Sequence, residues 1–234
     1  MKLVFLNYGF FMVLKVSEEE KTYITVEPGI RFRIENIVGS LILGIRLELP
    51  QLYKELLKMQ TELQKLYGYD ERAEEFPLIA RHSPQEFPGL ILKMRFPDVK
   101  ASMLVFSSGN CVITGTRSEE QLKKAVNRFV DILRHCGYEI LGEPELKIQN
   151  IVASADLGKK LNLDLIALSG GYNVIYEPEI FPGCIYRDET YKVVLLLFRS
   201  GKVVCTGAKS VDQIKSVLQK LYEWLAQIDA FLEE

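Results

Sequence analysis

The chain is short of the residues that chemistry needs. It has two histidines, His82 and His135, and neither falls in a nucleophile pattern or at metal-ligand spacing. Its four cysteines, Cys111, Cys136, Cys184 and Cys205, form no C-x-x-C pair, so they read as reduced core thiols, not as a zinc site or a disulfide framework. No acidic cluster offers metal spacing, and SGG (169–171) and SSGN (107–110) read as turns, not phosphate loops. Catalysis, a metal and a cofactor are therefore not expected. No apolar run reaches transmembrane length, so no membrane association is expected. The N-terminal MKLVFLNYGFFMVLKV comes nearest to a leader, but it lacks a small-residue cleavage site and is broken by Asn7-Tyr8-Gly9. It reads as an added strand, or as sequence upstream of a true start at Met12.

Net charge is also scarce: −2 over 234 residues, from 29 basic and 31 acidic side chains. The average hides two basic blocks. Residues 90–134 hold eight Lys/Arg against four Asp/Glu, and 184–220 hold seven against three. The acids gather in 17–27, 48–86 and the terminal FLEE. Two basic blocks in a mildly acidic chain fit an electrostatic footprint on DNA.

What the chain does have is a repeat. IENIVGSLILGIRLEL (34–49) aligns with IQNIVASADLGKKLNL (148–163), and the FPG-led stretch 87–126 aligns with 181–218. LGEPEL (141–146) is a short Gly/Pro joint. The division expected is an N-terminal extension over 1–33, a first repeat over 34–140 with a helical insertion at about 50–75, and a second repeat over 148–234. Each repeat reads as a β run (Ile34 to Ser40; Ile148 to Ser154), a helical stretch, FPG, three β runs and a long amphipathic helix opening at Ser118 or Ser210. SEEQ at 118–121 has the capping-box pattern.

The strands KVVLLLFRSG (192–201) and KVVCTG (202–207) are apolar on both parities: Val193, Leu195, Leu197, Val203 and Cys205 on one face, Val194, Leu196, Phe198, Val204 and Thr206 on the other. Two long helices per repeat can cover one face. The other must meet a second sheet, another chain or a ligand. The repeat adds Leu104, Phe106, Val112 and Thr114 to that second face, with Asn36, Asn150, Val38 and Val152 from the first strands. Such a surface is an apolar carpet whose polar groups are two Asn and two Thr. It suits the minor groove, where A·T pairs offer acceptors only and a smooth floor.

The ordered set NIV, FPG, F-x-S-G, T-G-(A/T)-(K/R)-S, present twice, resembles the TATA-box-binding protein family over about 34–138 and 148–227. The resemblance implies an α+β fold: two pseudo-symmetric repeats forming a saddle-shaped antiparallel sheet of ten strands, helices on the convex face. It implies wedges that enter base steps at Phe87 with Phe106 and Phe181 with Phe198. Asn36, Asn150, Thr114 and Thr206 match the central hydrogen-bonding positions. Val38, Val152, Leu104, Leu196, Val112 and Val204 match the groove floor, and Lys93, Arg117, Arg187, Lys202 and Lys209 match phosphate contacts. The implied partners are A·T-rich double-stranded promoter DNA and transcription factor B. The latter would dock on the second stirrup loop, where YEPEIF supplies Glu177, Glu179 and Ile180. The pI near 5.9 leans archaeal, hence cytoplasmic; a eukaryotic source would place it in the nucleus.

The first repeat departs from this pattern. Its insertion carries Leu52, Leu56, Met59, Leu63 and Leu66 at alternating spacings of four and three, with Pro50 near the start and Gly68 at the end. That helix either packs on its own domain or forms an arm for a partner or a second copy over 50–67. The second option would suit a divergent paralogue that regulates transcription through protein contacts of its inserted helix and N-terminal segment. Two more residues separate the FPG from Phe106 than from Phe198, which predicts a longer turn between the strands. Asn110 stands where the second repeat has Lys202, and Thr116 where it has Ala208.

Overall fold

The computed structural model describes residues 3–5, 11–13, 23–67 and 77–232. In chain order the elements begin with β1 (Leu3–Phe5), β2 (Phe11–Val13), β3 (Ile24–Val26), β4 (Ile30–Ile42) and α1 (Leu49–Tyr67). β5 (Leu78–His82), β6 (Leu90–Phe96), β7 (Val99–Val105), β8 (Asn110–Thr116) and α2 (Glu119–His135) follow. The chain ends with β9 (Glu145–Asp156), α3 (Leu163–Gly170), β10 (Val174–Ile175), β11 (Gly183–Asp188), β12 (Val193–Phe198), β13 (Lys202–Ala208) and α4 (Val211–Gln227). β1 and β2 form a small antiparallel pair of their own.

The fold is α+β with antiparallel strands, in two compact units. In the first, over Ile37–Lys147, the strand order is β4-β8-β7-β6-β5. In the second, Ile148–Glu234 together with Glu20–Asn36, it is β9-β13-β12-β11-β10, with β4 on the other side of β9 and β3 paired to β4. β5 and β10 were not among the strands read from the sequence. β10 has two residues and is too short to show a period.

Each unit buries one parity of its strands. Leu90, Leu92, Met94, Met103, Val105, Cys111 and Ile113 are inaccessible in the first unit, and Cys184, Leu195, Leu197, Val203 and Cys205 in the second. Burial pushes the Cys111 and Cys205 thiols up to about 12, as expected of inert core cysteines. α2 brings Leu122, Phe129 and Leu133 to this core, α4 brings Ile214, Leu218, Leu221 and Leu225. Ser118 Oγ and Ser210 Oγ cap these helices, each accepting from the N–H three residues on at 3.1 Å. The reciprocal bond of the capping box is displaced by one residue: the Gln121 and Gln213 side-chain oxygens accept from the N–H of Arg117 and Lys209, both at 2.8 Å.

Two expectations about the first repeat resolve here. Leu52, Leu56 and Leu63 are buried in their own unit, where α1 lies against β5, and Met59 is half-buried. These three leucines of the stripe are occupied by their own unit. Gly68 and the Leu66 side chain lie outside the described residues. The turn between the strands after FPG is shorter in the first repeat, not longer. Phe96 still pairs with Val99, leaving a two-residue loop, while Asp188 pairs with Val193 across four. The two extra residues extend the strands.

Candidate nucleic-acid interface

The other parity is neither buried nor free. Leu104, Phe106, Val112 and Thr114 in the first unit, and Asn150, Val152, Leu196, Phe198, Val204 and Thr206 in the second, are all half-buried. Val38 and Asn36 are half-buried as well. Within each unit, neighbouring strands set these residues side by side: Leu104 opposite Val112, Ser102 opposite Thr114, Leu196 opposite Val204, Val194 opposite Thr206. Such a row of partly wetted Val, Leu and Phe is costly to leave unpartnered.

A pair of phenylalanines stands at the FPG of each unit. Phe87 and Phe106 meet with ring centroids 5.6 Å apart at 63°, and Phe181 and Phe198 at 5.7 Å and 64°. This edge-to-face packing is a favoured aromatic geometry. The rest of the motif holds it in place. A Cβ on Gly183 would stand 2.9 Å from the Leu197 carbonyl oxygen and 3.0 Å from the Phe181 ring; on Gly89 it would stand 2.9 Å from the Val105 oxygen and 2.6 Å from the Phe87 ring. Only glycine lets the ring fold back over the chain there. The loops entering both motifs close identically, with the Phe87 N–H donating to the Ser83 carbonyl and the Phe181 N–H to the Glu177 carbonyl, each at 2.9 Å.

Asn150 shows how the carpet is wired. Its Oδ1 accepts from the Gly207 N–H at 2.7 Å, which fixes the amide orientation, and its Nδ2 reaches Thr206 Oγ1 at 3.4 Å. With the oxygen engaged, the amino group is what Asn150 has left to offer, a donor suited to A N3 or T O2.

The basic residues divide unevenly. Arg117, Arg187, Lys202 and Lys209 are exposed and Lys93 is half-buried. Lys202 is bound to Asp156 at 2.8 Å. That hydrogen bond, helped by the Gly158 N–H, holds the Asp156 carboxyl below the usual carboxylate range. The first unit has Asn110 opposite Ile42 at the equivalent place, an uncharged pair where the second unit has Lys202 opposite Asp156. Its longer hairpin sets Arg95 opposite Lys100, in a cleft with Lys93, Ser102 and Gly115. Sequence reading missed that pair because its signal, two extra residues, was assigned to the turn. Thr116 is fully buried and its hydroxyl has no hydrogen-bond partner among the described residues.

On the second stirrup Glu177 and Glu179 are exposed and Ile180 is 81% exposed. The preceding run leaves Leu168 and Tyr172 exposed and Ile175 partly so, which sequence reading did not single out. The first stirrup, Ser83 to Glu86, has no large exposed apolar residue.

The family model for transcription factor TFIID (or TATA-binding protein, TBP) matches residues 70–136 and 145–228. The TATA-box-binding protein of Pyrobaculum aerophilum is 40% identical over 88% of this chain and 92% of its own. That of Methanothermobacter thermautotrophicus is 45% identical over 84% of this chain and 96% of its own. The solved structure of Methanococcus jannaschii TBP matches with a TM-score of 0.67 at 35% identity, covering 84% of this chain and 98% of that one. On these matches and the twice-built site, the chain belongs to the TATA-box-binding protein family, DNA-binding transcription factors that are not enzymes.

Proposed function

We propose that the protein binds A·T-rich promoter DNA through the minor groove, bends it, and recruits transcription factor B to begin transcription. The observation that carries the reading is the half-buried apolar face, with a matched Phe pair at each FPG and an Asn150 amide turned to donate. An acceptor-only A·T groove floor suits this surface, and apolar wedges part base steps to widen it. Lys93, Arg117, Arg187, Lys202 and Lys209 would hold phosphates. For transcription factor B, the second stirrup is favoured by its exposed Ile180 beside Glu177 and Glu179, which the first stirrup does not reproduce. A cytoplasmic location goes with this reading in an archaeal cell.

The test is a titration of the full chain against a TATA duplex and a G·C duplex at two salt concentrations. Nanomolar, salt-sensitive binding to the first, weakened in Phe181→Ala, is expected. Equal affinity for the G·C duplex would overturn the proposal. Pull-down of transcription factor B by a Glu177→Arg/Glu179→Arg variant tests the partner surface; undiminished capture counts against it.

A further inference from the structure

Residues ahead of the first repeat extend the second unit's exposed face. β3 pairs with the start of β4, with Ile24 opposite Phe32 and Thr25 opposite Arg31. Ile30 and Phe32 are buried, so Arg31, Arg33 and Glu35 share the other side of the strand. That side is the groove-facing one: Glu35 accepts a hydrogen bond from Ser154 Oγ, and Ser154 stands opposite Val204. Tyr23, Arg31, Arg33, Ser154, Asp156 and Lys202 line one cleft of about 370 Å³.

The charges in that cleft are sorted. Arg33 is ion-paired to Glu35 and lies 5.8 Å from the Tyr23 ring centroid. Lys202 is held by Asp156. Arg31 is exposed, its guanidinium makes no hydrogen bond to the described residues, and it acts on Asp156 through space. Two ion pairs cancel and Arg31 remains as the uncompensated charge. Its planar fork of donors matches a phosphodiester.

We infer that the β3–β4 hairpin is an additional phosphate-binding margin, in which Arg31, beside Tyr23 and Lys202, holds one backbone phosphate of the bound duplex. The inference rests on the DNA-binding function proposed above and assigns it a contact from outside both repeats.

The experiment is the dependence of duplex affinity on salt, measured with the full chain. Each phosphate neutralised adds about 0.9 to the slope of log K against log salt. Arg31→Gln should lower the slope by about that amount, and Thr25→Lys, directly opposite, should raise it by the same. An unchanged slope in both variants, with duplex binding intact, overturns the margin. Failure of the unsubstituted chain to prefer the TATA duplex overturns the DNA-binding proposal instead. Inorganic phosphate distinguishes the source: Arg31-dependent quenching of Tyr23 fluorescence by the free ion, without any slope change, would make the cleft an anion site and not a duplex contact.

Discussion

In the proposed function, one atom of Asn150 decides how the groove would be read. Because Gly207 occupies Oδ1, Asn150→Asp keeps that bond yet presents the groove with an acceptor and a charge in place of a donor. Affinity for a TATA duplex should fall by about 5- to 150-fold, the scale of about 1–3 kcal/mol per misread base contact, with the melting temperature unchanged. Thr116 makes the opposite case. Its buried hydroxyl lacks a hydrogen-bond partner among the described residues, and the second repeat has Ala208 at the same place. Thr116→Val should stabilise the protein by about 1 kcal/mol, read as a rise of roughly 2–4 °C in thermal unfolding. At this scale the sequence was most legible where side chains repeat: both FPG motifs, both Asn and both Thr. It was least legible where a backbone group is the partner, as with Gly207 or the N–H groups of Arg117 and Lys209, because backbone partners leave no residue signature.

Among the elements, α1 was ambiguous in the sequence because a helix laid on its own sheet and a helix waiting for a partner have the same apolar spacing. The structure separates them through the neighbouring leucines, with Leu56 buried and Leu57 exposed. Leu56→Ala should destabilise the first unit by about 2–5 kcal/mol and Leu57→Ala should change little, as urea unfolding of the two variants will show. α4 carries a second test. Lys220 donates to the buried Asp188 carboxylate at 2.7 Å. Burial alone would raise the Asp188 pKa, but hydrogen bonds from Lys220 and from the Tyr191 and Thr190 N–H groups outweigh it and leave the carboxyl below its ordinary range. The bond to Asp188 raises Lys220 in turn. Asp188 therefore stabilises the fold fully above its unfolded value, about 4, and loses this as pH falls through the lower folded value. Lys220 contributes fully below its unfolded value, about 10.4, and loses this as pH rises through the higher folded one. Lys220→Met should cost about 2 kcal/mol near neutral pH, its half-exposed ammonium keeping the loss under that of a fully buried pair, and should flatten the acid limb of the stability profile.

Across the whole molecule the two units agree in shape and differ in charge. The wedge pairs match to 0.1 Å in centroid distance and one degree in angle (5.6 and 5.7 Å, 63° and 64°), despite the insertion ahead of the first. Phe87→Ala and Phe181→Ala should then weaken duplex binding to a similar extent. The charges proposed to face phosphates were only partly legible. A composition count finds Lys202 but not that Asp156 holds it, and it finds Arg95 and Lys100 but not that a longer hairpin aligns them. Asp156→Asn keeps an acceptor for the Gly158 N–H while releasing Lys202. It should strengthen duplex binding and steepen the salt slope by up to about 0.9.

The folding of each FPG phenylalanine over its own glycine also bears on how quickly the protein engages its target. Both rings of each wedge already sit against one another in the free chain, so no rotamer search has to precede insertion. In the proposed DNA complex, such preorganisation would leave the slow part of association to the duplex, which would have to unstack a base step. On-rates should accordingly track the flexibility of the DNA, rising when a stiff A-tract step is replaced by a TA or CA step at the wedge. Repacking the protein core far from the rings should leave them unchanged.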